Sequence, residues 1–322
     1  MLSKPDFVEK QIIYVFSNEG DKVSFRNDNM LILDKDGHTK LQATCHRLFA
    51  VFIVGETSIT TRIIRKAKVF GFAVVLLNQN LKFYQMLGNR AEGNVFLRKR
   101  QYAYNGLDIG KHIIQNKIQN QSYIIEKTCR EKTLDTRETI AKLKILKKNL
   151  SESKDLEFNQ ILSIEGNASR IYFKALFSNS CWIGRKPRIK PDYINAALDI
   201  GYTILFNYID CLINLYGFDE YNGVLHKFYC MRKSLVCDLM EPMRVIIDKT
   251  TLNAINLNQF AQKDFKCNNG RYELAWDNRK KYVTVYNRAL LGHKEDIFVY
   301  IRDYYRAFSS SKNIEEFPVF TI

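Results

Sequence analysis

The first 88 residues carry the short apolar runs and turn signals of a β-rich region. Polar and apolar positions alternate at 22–26, as in a half-buried strand, and a turn signal at 27–29 separates this run from the next. The runs that predict strands are 22–26, 30–33, 48–54, 74–77 and 81–87. A short helix is expected over 61–68, because Gly71 stands just past its end.

From about residue 95 onward, apolar residues recur three or four positions apart, which is the spacing of amphipathic helices. The segments with this pattern are 109–118, 140–146, 162–177 and 194–216. The last of them is apolar on most faces, yet it carries Asp199 and Asp210. A membrane span would rarely hold two such charges, so a buried core helix is predicted there.

The last third of the chain adds a hairpin and a closing helix. Ser234 is expected to cap the helix that follows it. Alternation over 271–276, after an Asn-Asn-Gly turn, predicts two short strands, and 294–308 predicts the final helix. Residues from 309 onward are expected to fray.

These patterns predict an α+β protein of two domains. A small N-terminal β-sheet or β-sandwich domain would occupy residues 1–88, and 89–94 would link it to a larger α-helical domain at 95–322.

Composition limits the classes of partner. The chain has 322 residues, and 49 Lys and Arg against 34 Asp and Glu give a net charge of +15. Nucleic acid is the leading partner for such a charge, an anionic membrane surface is second, and a merely basic surface is the remaining alternative. No apolar run approaches the roughly 20 residues of a membrane span, and the start shows no apolar signal region. We therefore expect a cytoplasmic protein.

Cysteine usage argues against disulfides and zinc. The seven cysteines are odd in number and form no C-x-x-C pair. A disulfide framework and a structural zinc site are therefore unsupported, and reduced thiols are the default.

Three places in the helical half concentrate metal-type ligands. Glu165 stands among apolar residues, although an exposed carboxylate on an amphipathic helix would look the same. His226 follows a glycine-bearing loop, although a lone histidine is more often structural. Asp238 and Glu241 are three residues apart and share a helix face, where a cation could relieve their repulsion, or Arg244 could neutralise them as a salt bridge.

Carboxylates with one imidazole suit Mg²⁺ or Mn²⁺ better than zinc. A divalent cation in a basic protein points to phosphodiester chemistry. The residues alone therefore indicate a metal-dependent enzyme acting on nucleic acid, without choosing between cutting and joining.

Several segments, taken in order, resemble the CRISPR-associated adaptation endonuclease/integrase family, the universal Cas protein (Cas-one) of spacer acquisition. The segments are 59–64, 165–173, 191–198, 201–202, 217–219, 223–226, 234–244 with Asp248, 264–265 and 279–282. The resemblance implies an N-terminal β domain, with a role in dimerisation, and a C-terminal α-helical catalytic domain.

The resemblance also implies the site. Glu165, His226 and Glu241 match the positions that bind the divalent ion, Mg²⁺ or Mn²⁺, and Asp238 matches an active-site acid. The last ligand in this family is often Asp. Glu241 therefore departs from the usual pattern, and its longer side chain would reach the ion from slightly further away. The residues taken as phosphate contacts are Arg185, Lys186, Arg188, Lys227, Arg232 and Arg244.

The implied activity is insertion of short foreign DNA fragments as new spacers at the leader end of a repeat array, by 3′-hydroxyl strand transfer. The implied partners are a double-stranded DNA fragment, the repeat DNA, a second copy of the chain, and a small ferredoxin-like subunit (Cas-two) that completes a heterohexamer. The setting would be the prokaryotic cytoplasm, with no membrane. The alternative is a non-catalytic nucleic-acid-binding scaffold of the same fold. An RNA-binding module is disfavoured, because the sequence shows none of the usual signatures of such modules.

Overall fold

The computed structural model describes residues 2–128, 134–153, 156–178, 182–226 and 231–322. The chain divides into two compact units. One consists of Met1–Val95 with Asp210–Phe218, and the other of Phe96–Ile209 with Asp219–Ile322. The separate segment at 210–218 is a feature that no sequence pattern indicates.

The N-terminal unit is built on two sheets. Its elements are α1 (Lys4–Val8), β1 (Gln11–Phe16), β2 (Lys22–Arg26), β3 (Asn29–Leu33), β4 (Thr39–Thr44), β5 (Leu48–Val54), α2 (Thr61–Phe70), β6 (Ala73–Leu77) and β7 (Phe83–Gly88). The four-stranded sheet has the order β1-β5-β6-β7, in which β1, β5 and β6 run parallel and β7 is antiparallel. Strands β2, β3 and β4 form an antiparallel sheet.

Strand β5 is the centre of this unit because it lies between β1 and β6. Every residue from Leu48 to Val54 is buried. A strand covered on both faces reads as a continuous apolar run rather than an alternating one, which is the pattern in the sequence. Side chains of β5, α2 and the three-stranded sheet share one apolar core that includes Phe25, Met30 and Ile63.

The second unit is mainly helical. Its elements are α3 (Val95–Ala103), α4 (Asp108–Thr128), α5 (Leu134–Glu152), α6 (Phe158–Leu176), α7 (Tyr193–Tyr216), α8 (Ser234–Met240), α9 (Arg244–Asn256), β8 (Phe265–Asn268), β9 (Arg271–Leu274), α10 (Arg279–Gly292) and α11 (Lys294–Ser309). The residues of α7 from Asp210 onward belong to the N-terminal unit. A 3-10 turn, Glu241–Met243, joins α8 to α9. Pro242 lies in this turn, where its missing N–H interrupts the helix.

Among the described helices, only α7 is long and apolar enough to cross a membrane by length and composition. Buried residues make up 78% of its most apolar window. This burial is what a core helix shows.

Helix α4 is hydrogen-bonded to two parts of the chain that are distant in sequence, the 3-10 turn and the C-terminal segment. Asn120 donates to the carbonyl of Pro242 at 2.9 Å, which ties the 3-10 turn to α4. Asn116 exchanges two hydrogen bonds with the backbone of Phe320, both 2.8 Å long. The C-terminal segment is therefore docked on α4, and the expectation that it frays is wrong, because Phe317 and Phe320 bury their rings.

The predicted α+β class, with a β-rich N-terminal part and a helical C-terminal part, is confirmed. One local expectation is wrong: Lys233 occupies the N-cap of α8, and Ser234 is its first helical residue with a buried hydroxyl.

Two helical glycines offer a matched test of packing. A Cβ on Gly201 in α7 would overlap Ile247 and lie 2.8 Å from the ring of Tyr286, whereas a Cβ on Gly166 in α6 would meet nothing within 4 Å. Gly201→Ala should lower the free energy of unfolding by about 1–3 kcal/mol through overpacking. Gly166→Ala should raise it by about 0.5–1 kcal/mol, because alanine favours helix. Calorimetric unfolding checks both, and equal shifts for the two variants would contradict the assigned packing.

Candidate active site

Helices α4 and α6 and the 3-10 turn bring two of the predicted ligands onto one ammonium group. Glu165 projects from α6, and its Oε1 accepts a hydrogen bond from Lys117 on α4. The same Lys117 ammonium lies 2.8 Å from Oε2 of Glu241. Ser169, one turn along α6, donates to Glu165 at 3.1 Å. Two carboxylates far apart in the sequence therefore meet at a single cation.

Glu241 is a buried and ionised carboxylate. Its side chain is 7% exposed, and Arg244 lies 2.9 Å away, three residues further along the chain. Burial alone would raise the pKa of Glu241, but Arg244 and Lys117 outweigh burial and lower that pKa to about 2. The salt bridge considered as an alternative for Arg244 thus exists, and Lys117 joins it.

Oε2 of Glu241 lies 2.8 Å from the ammonium of Lys117 and 2.9 Å from Nε of Arg244. Two cations therefore share one buried carboxylate oxygen, which makes this oxygen a strong cation-binding point.

Lys117 is the functional residue that the sequence analysis missed. Burial would lower its pKa, but Glu241 and Glu165 more than offset burial and raise it above the usual value. Its signal is present in the sequence: Lys117 follows Ile113 by four residues and so interrupts the apolar stripe of α4. A lone lysine on an apolar stripe indicates a buried partner.

Asp238 holds the loop that carries His226. Its carboxylate accepts the backbone N–H groups of Val224, Leu225 and His226 at 2.7, 2.9 and 3.1 Å. Nδ1 of His226 lies 2.5 Å from Oδ1 of Asp238. Both oxygens of Asp238 are engaged and its side chain has no exposed surface, so it positions the histidine rather than offering itself as a ligand.

Only glycine fits at position 223, at the start of this loop, because atoms of Asp238 and His226 lie very close to it. A Cβ there would lie 2.6 Å from Oδ2 of Asp238 and 2.7 Å from the carbonyl oxygen of His226. Any larger residue would push the loop away from the carboxylate. The glycine noted in the sequence before His226 therefore has a steric reason.

Behind the site lies a buried network around Asp248. Tyr172 donates to it at 3.1 Å, and Tyr202 donates to its other oxygen. Arg244 and Arg185 lie over the ring of Tyr202, with centroid distances of 4.7 and 5.2 Å. Burial raises the pKa of Asp248 to about 6, although the two tyrosines act in the opposite direction. Tyr202 thus connects the carboxyl of Asp248 to the guanidinium of Arg244, which in turn contacts Glu241.

The three predicted metal ligands are only partly assembled. Glu165 and Glu241 share Lys117, and His226 is near enough to lower the pKa of Glu241. Their ligand atoms do not all lie within 4.8 Å of one another. Across the described ranges, the one group of three that meets this distance is Asp34, Asp36 and His38, in the exposed turn between β3 and β4.

The predicted phosphate contacts fall into three groups. Lys186, Arg188 and Arg232 are exposed. Arg185 pairs with Asp199 at 2.5 Å and Arg244 with Glu241, so both have partners inside the protein. Lys227 lies outside the described residues. The role of each in binding DNA stays a prediction.

Asp238→Asn tests the anchoring of the histidine loop. The new amide NH₂ would face backbone N–H donors, so we expect the free energy of unfolding to fall by about 2–4 kcal/mol. Hydrogen exchange over 222–226 should quicken at the same time. The control is Asp277→Asn, an exposed acid that follows β9 in the sequence, which should change neither. If Asp238→Asn has the same urea midpoint of unfolding as the wild type, Asp238 does not anchor the loop.

Asp248→Asn tests the buried carboxyl through pH. The pKa of Asp248 rises from 3.8 to about 6 on folding, so its stabilising contribution is complete below pH 3.8 and is lost as pH rises through 6. Relative to the variant, the wild type should lose about 3 kcal/mol of unfolding free energy across that window. Urea titrations at several pH values measure the difference, and parallel curves for the two proteins would contradict it.

Comparisons with known proteins agree on one family. A family model described as "CRISPR associated protein Cas1" matches residues 13–288. A CRISPR-associated endonuclease Cas1 of Thermodesulfovibrio yellowstonii is 30% identical over 282 residues, covering 84% of this chain and 86% of the relative.

Solved structures share the fold at low identity. A Cas1 protein from Thermotoga maritima has a TM-score of 0.78 at 18% identity, covering 97% of this chain and 99% of the other. A casposase bound to integration product has a TM-score of 0.74 at 20% identity, covering 97% and 96%. A chain of a partial Cas6-RT-Cas1–Cas2 complex has a TM-score of 0.68 at 19% identity, covering 96% and 98%. The family model spans most of the chain, and this protein belongs to the CRISPR-associated Cas1 family.

Proposed function

We propose that this protein is a divalent-metal-dependent DNA endonuclease and integrase of CRISPR adaptation. It would insert short foreign DNA fragments as new spacers at the leader end of the repeat array, with a 3′-hydroxyl as the attacking group. Endonuclease cleavage is the same phosphodiester chemistry with water as the nucleophile.

The observation that carries this proposal is the meeting of Glu165 and Glu241 at Lys117, beside a histidine held by Asp238. These five side chains come from α4, α6, the 3-10 turn, the loop after α7, and α8. A packed core has no need of two acids at one buried point, and such convergence is typical of a functional site.

The donor set fits Mg²⁺ or Mn²⁺. Glu165 and Glu241 supply hard oxygens that already attract cationic side chains in this structure. The third ligand would be Nε2 of His226, because Nδ1 is held by Asp238. When bound, the cation polarises the phosphoryl group and makes the attacking hydroxyl more acidic.

The chain's own residues prepare this site in three ways. Asp238 holds Nδ1 of His226, which leaves Nε2 as the ring nitrogen that could bind a ligand. Arg244 stabilises the ionised form of Glu241, so the ligand is charged at neutral pH. The side chains of Glu165 and His226 are 24% and 22% exposed, against 7% for Glu241, so DNA would approach from their side.

The relatives support the class of reaction and the partners. The Thermodesulfovibrio relative is named an endonuclease, and the casposase neighbour is bound to an integration product. The Cas6-RT-Cas1–Cas2 neighbour supports a small Cas-two subunit as partner. The homodimer that the sequence resemblance implies belongs to the same proposal. The exposed cations Lys186, Arg188 and Arg232 are available for phosphates of the DNA fragment and the repeat.

Glu165→Gln, His226→Ala and Glu241→Gln should each lower Mg²⁺- or Mn²⁺-dependent nicking and strand transfer by about a hundredfold or more, because each removes one ligand. The assay joins a labelled oligonucleotide with a free 3′-hydroxyl to a supercoiled plasmid bearing leader and repeat. Joined and merely nicked products separate on a gel, so integration and cleavage are scored independently.

The matched control is Glu126→Gln, an exposed acid on α4 that should leave both activities unchanged. DNA affinity, measured by fluorescence anisotropy, should change by less than about threefold in every variant, since phosphate contacts dominate affinity. Wild-type protein that binds DNA but neither cuts nor joins it with either metal would favour the non-catalytic scaffold.

A further inference from the structure

Lys117 occupies the position that the Mg²⁺ or Mn²⁺ ion would need. Its ammonium contacts Oε1 of Glu165 and Oε2 of Glu241, the carboxylates assigned above as ligands. Its side chain is only 7% exposed, so water does little to screen its charge. A divalent cation bound to the same two oxygens would lie close enough to the ammonium to repel it strongly.

The local charges already balance without a further cation. Two carboxylates, Glu165 and Glu241, face two cations, Lys117 and Arg244. Adding two positive charges beside Lys117 would create strong repulsion in a region of low dielectric. Lys117 must therefore leave the carboxylates when the ion arrives, or the ion must bind weakly.

An acceptor for the displaced ammonium lies one turn along α4. Gln121 is four residues after Lys117, so both side chains share a helix face, and the Gln121 side chain leans back along α4 toward the turn that carries Lys117. Gln121 is 2% exposed, and its Oε1 is buried with no hydrogen-bond partner. A buried amide oxygen without a donor is costly, and an arriving ammonium would satisfy it.

We propose that Lys117 is an internal competitor of the catalytic cation: its ammonium holds Glu165 and Glu241 together and moves to Gln121 when the divalent ion binds. This inference rests on the proposed function, since it takes the two carboxylates as metal ligands. It makes Lys117 a positioning residue that sets the metal affinity and keeps the acids in place.

The test is the affinity for Mn²⁺, measured by titration calorimetry and by the electron paramagnetic resonance of free Mn²⁺ on EDTA-treated, dialysed protein. Lys117→Met keeps the unbranched shape and removes the charge, so it should bind Mn²⁺ about tenfold more tightly or better. Lys117→Arg keeps the charge and should show no such gain. Equal or weaker Mn²⁺ binding by Lys117→Met would overturn the competition.

Gln121→Met tests where the ammonium goes. With its acceptor removed, Lys117 should hold the carboxylates longer, and Mn²⁺ affinity should fall by about threefold or more. In a Lys117→Met background the same substitution should have no effect, which completes a double-mutant cycle. An equal loss in both backgrounds would overturn the role of Gln121.

Thermal unfolding separates competition from mere structural support. In EDTA, Lys117→Met should melt below the wild type, because two carboxylates then repel, and Mn²⁺ should raise its melting temperature by more than it raises that of the wild type. A lysine that is only structural would give the lower melting temperature without the larger response to Mn²⁺.

The proposed function fails by a different result. If neither wild type nor Lys117→Met binds Mn²⁺, and Glu165→Gln and Glu241→Gln change nothing, the carboxylates are not metal ligands. If the wild type binds Mn²⁺ through them and Lys117→Met gains nothing, only the inference about Lys117 fails.

Discussion

Glu241 stays ionised although its side chain is almost wholly removed from water, and the two cations beside it make this possible. An unpaired buried carboxylate would take up a proton or destabilise the fold. This requirement restricts where α4, the 3-10 turn and α9 can lie, because Lys117 and Arg244 must both reach the same oxygen. Asn120 adds a hydrogen bond from α4 to the turn, so the helix supplies both the charge and the anchor.

The two acids of the Asp238-Leu-Met-Glu241 segment have different tasks, although they share a helix face. Asp238 accepts hydrogen bonds from backbone N–H groups and contacts the histidine ring, so its charge holds the loop of His226 in place. Glu241 is paired with the cationic side chains of Lys117 and Arg244, and a divalent cation would compete with them. Spacing alone therefore says that two acids are neighbours, while the hydrogen-bond donors around each one decide what it does.

Much of the architecture was predictable from local pattern. The continuous apolar run of β5 marks a strand buried on both faces, and the apolar length of α7 marks a core helix. The strands β1 and β4 and the docked C-terminal segment were missed. Their stability comes from partners distant in the chain, such as β5 for β1 and Asn116 for Phe320, and no local pattern reports such partners.

By itself, the sequence determined the α+β class and the basic charge, and the family resemblance made Glu165, His226 and Glu241 candidate metal ligands. The class and the charge depend on residue type and short-range spacing, which are written directly in the chain. Only the tertiary structure decided that Lys117 joins Glu165 to Glu241, that Asp238 serves the loop of His226, and that Tyr202 links Arg244 to Asp248. These contacts join residues from separate helices, and helix packing, rather than spacing along one helix, sets which side chains meet.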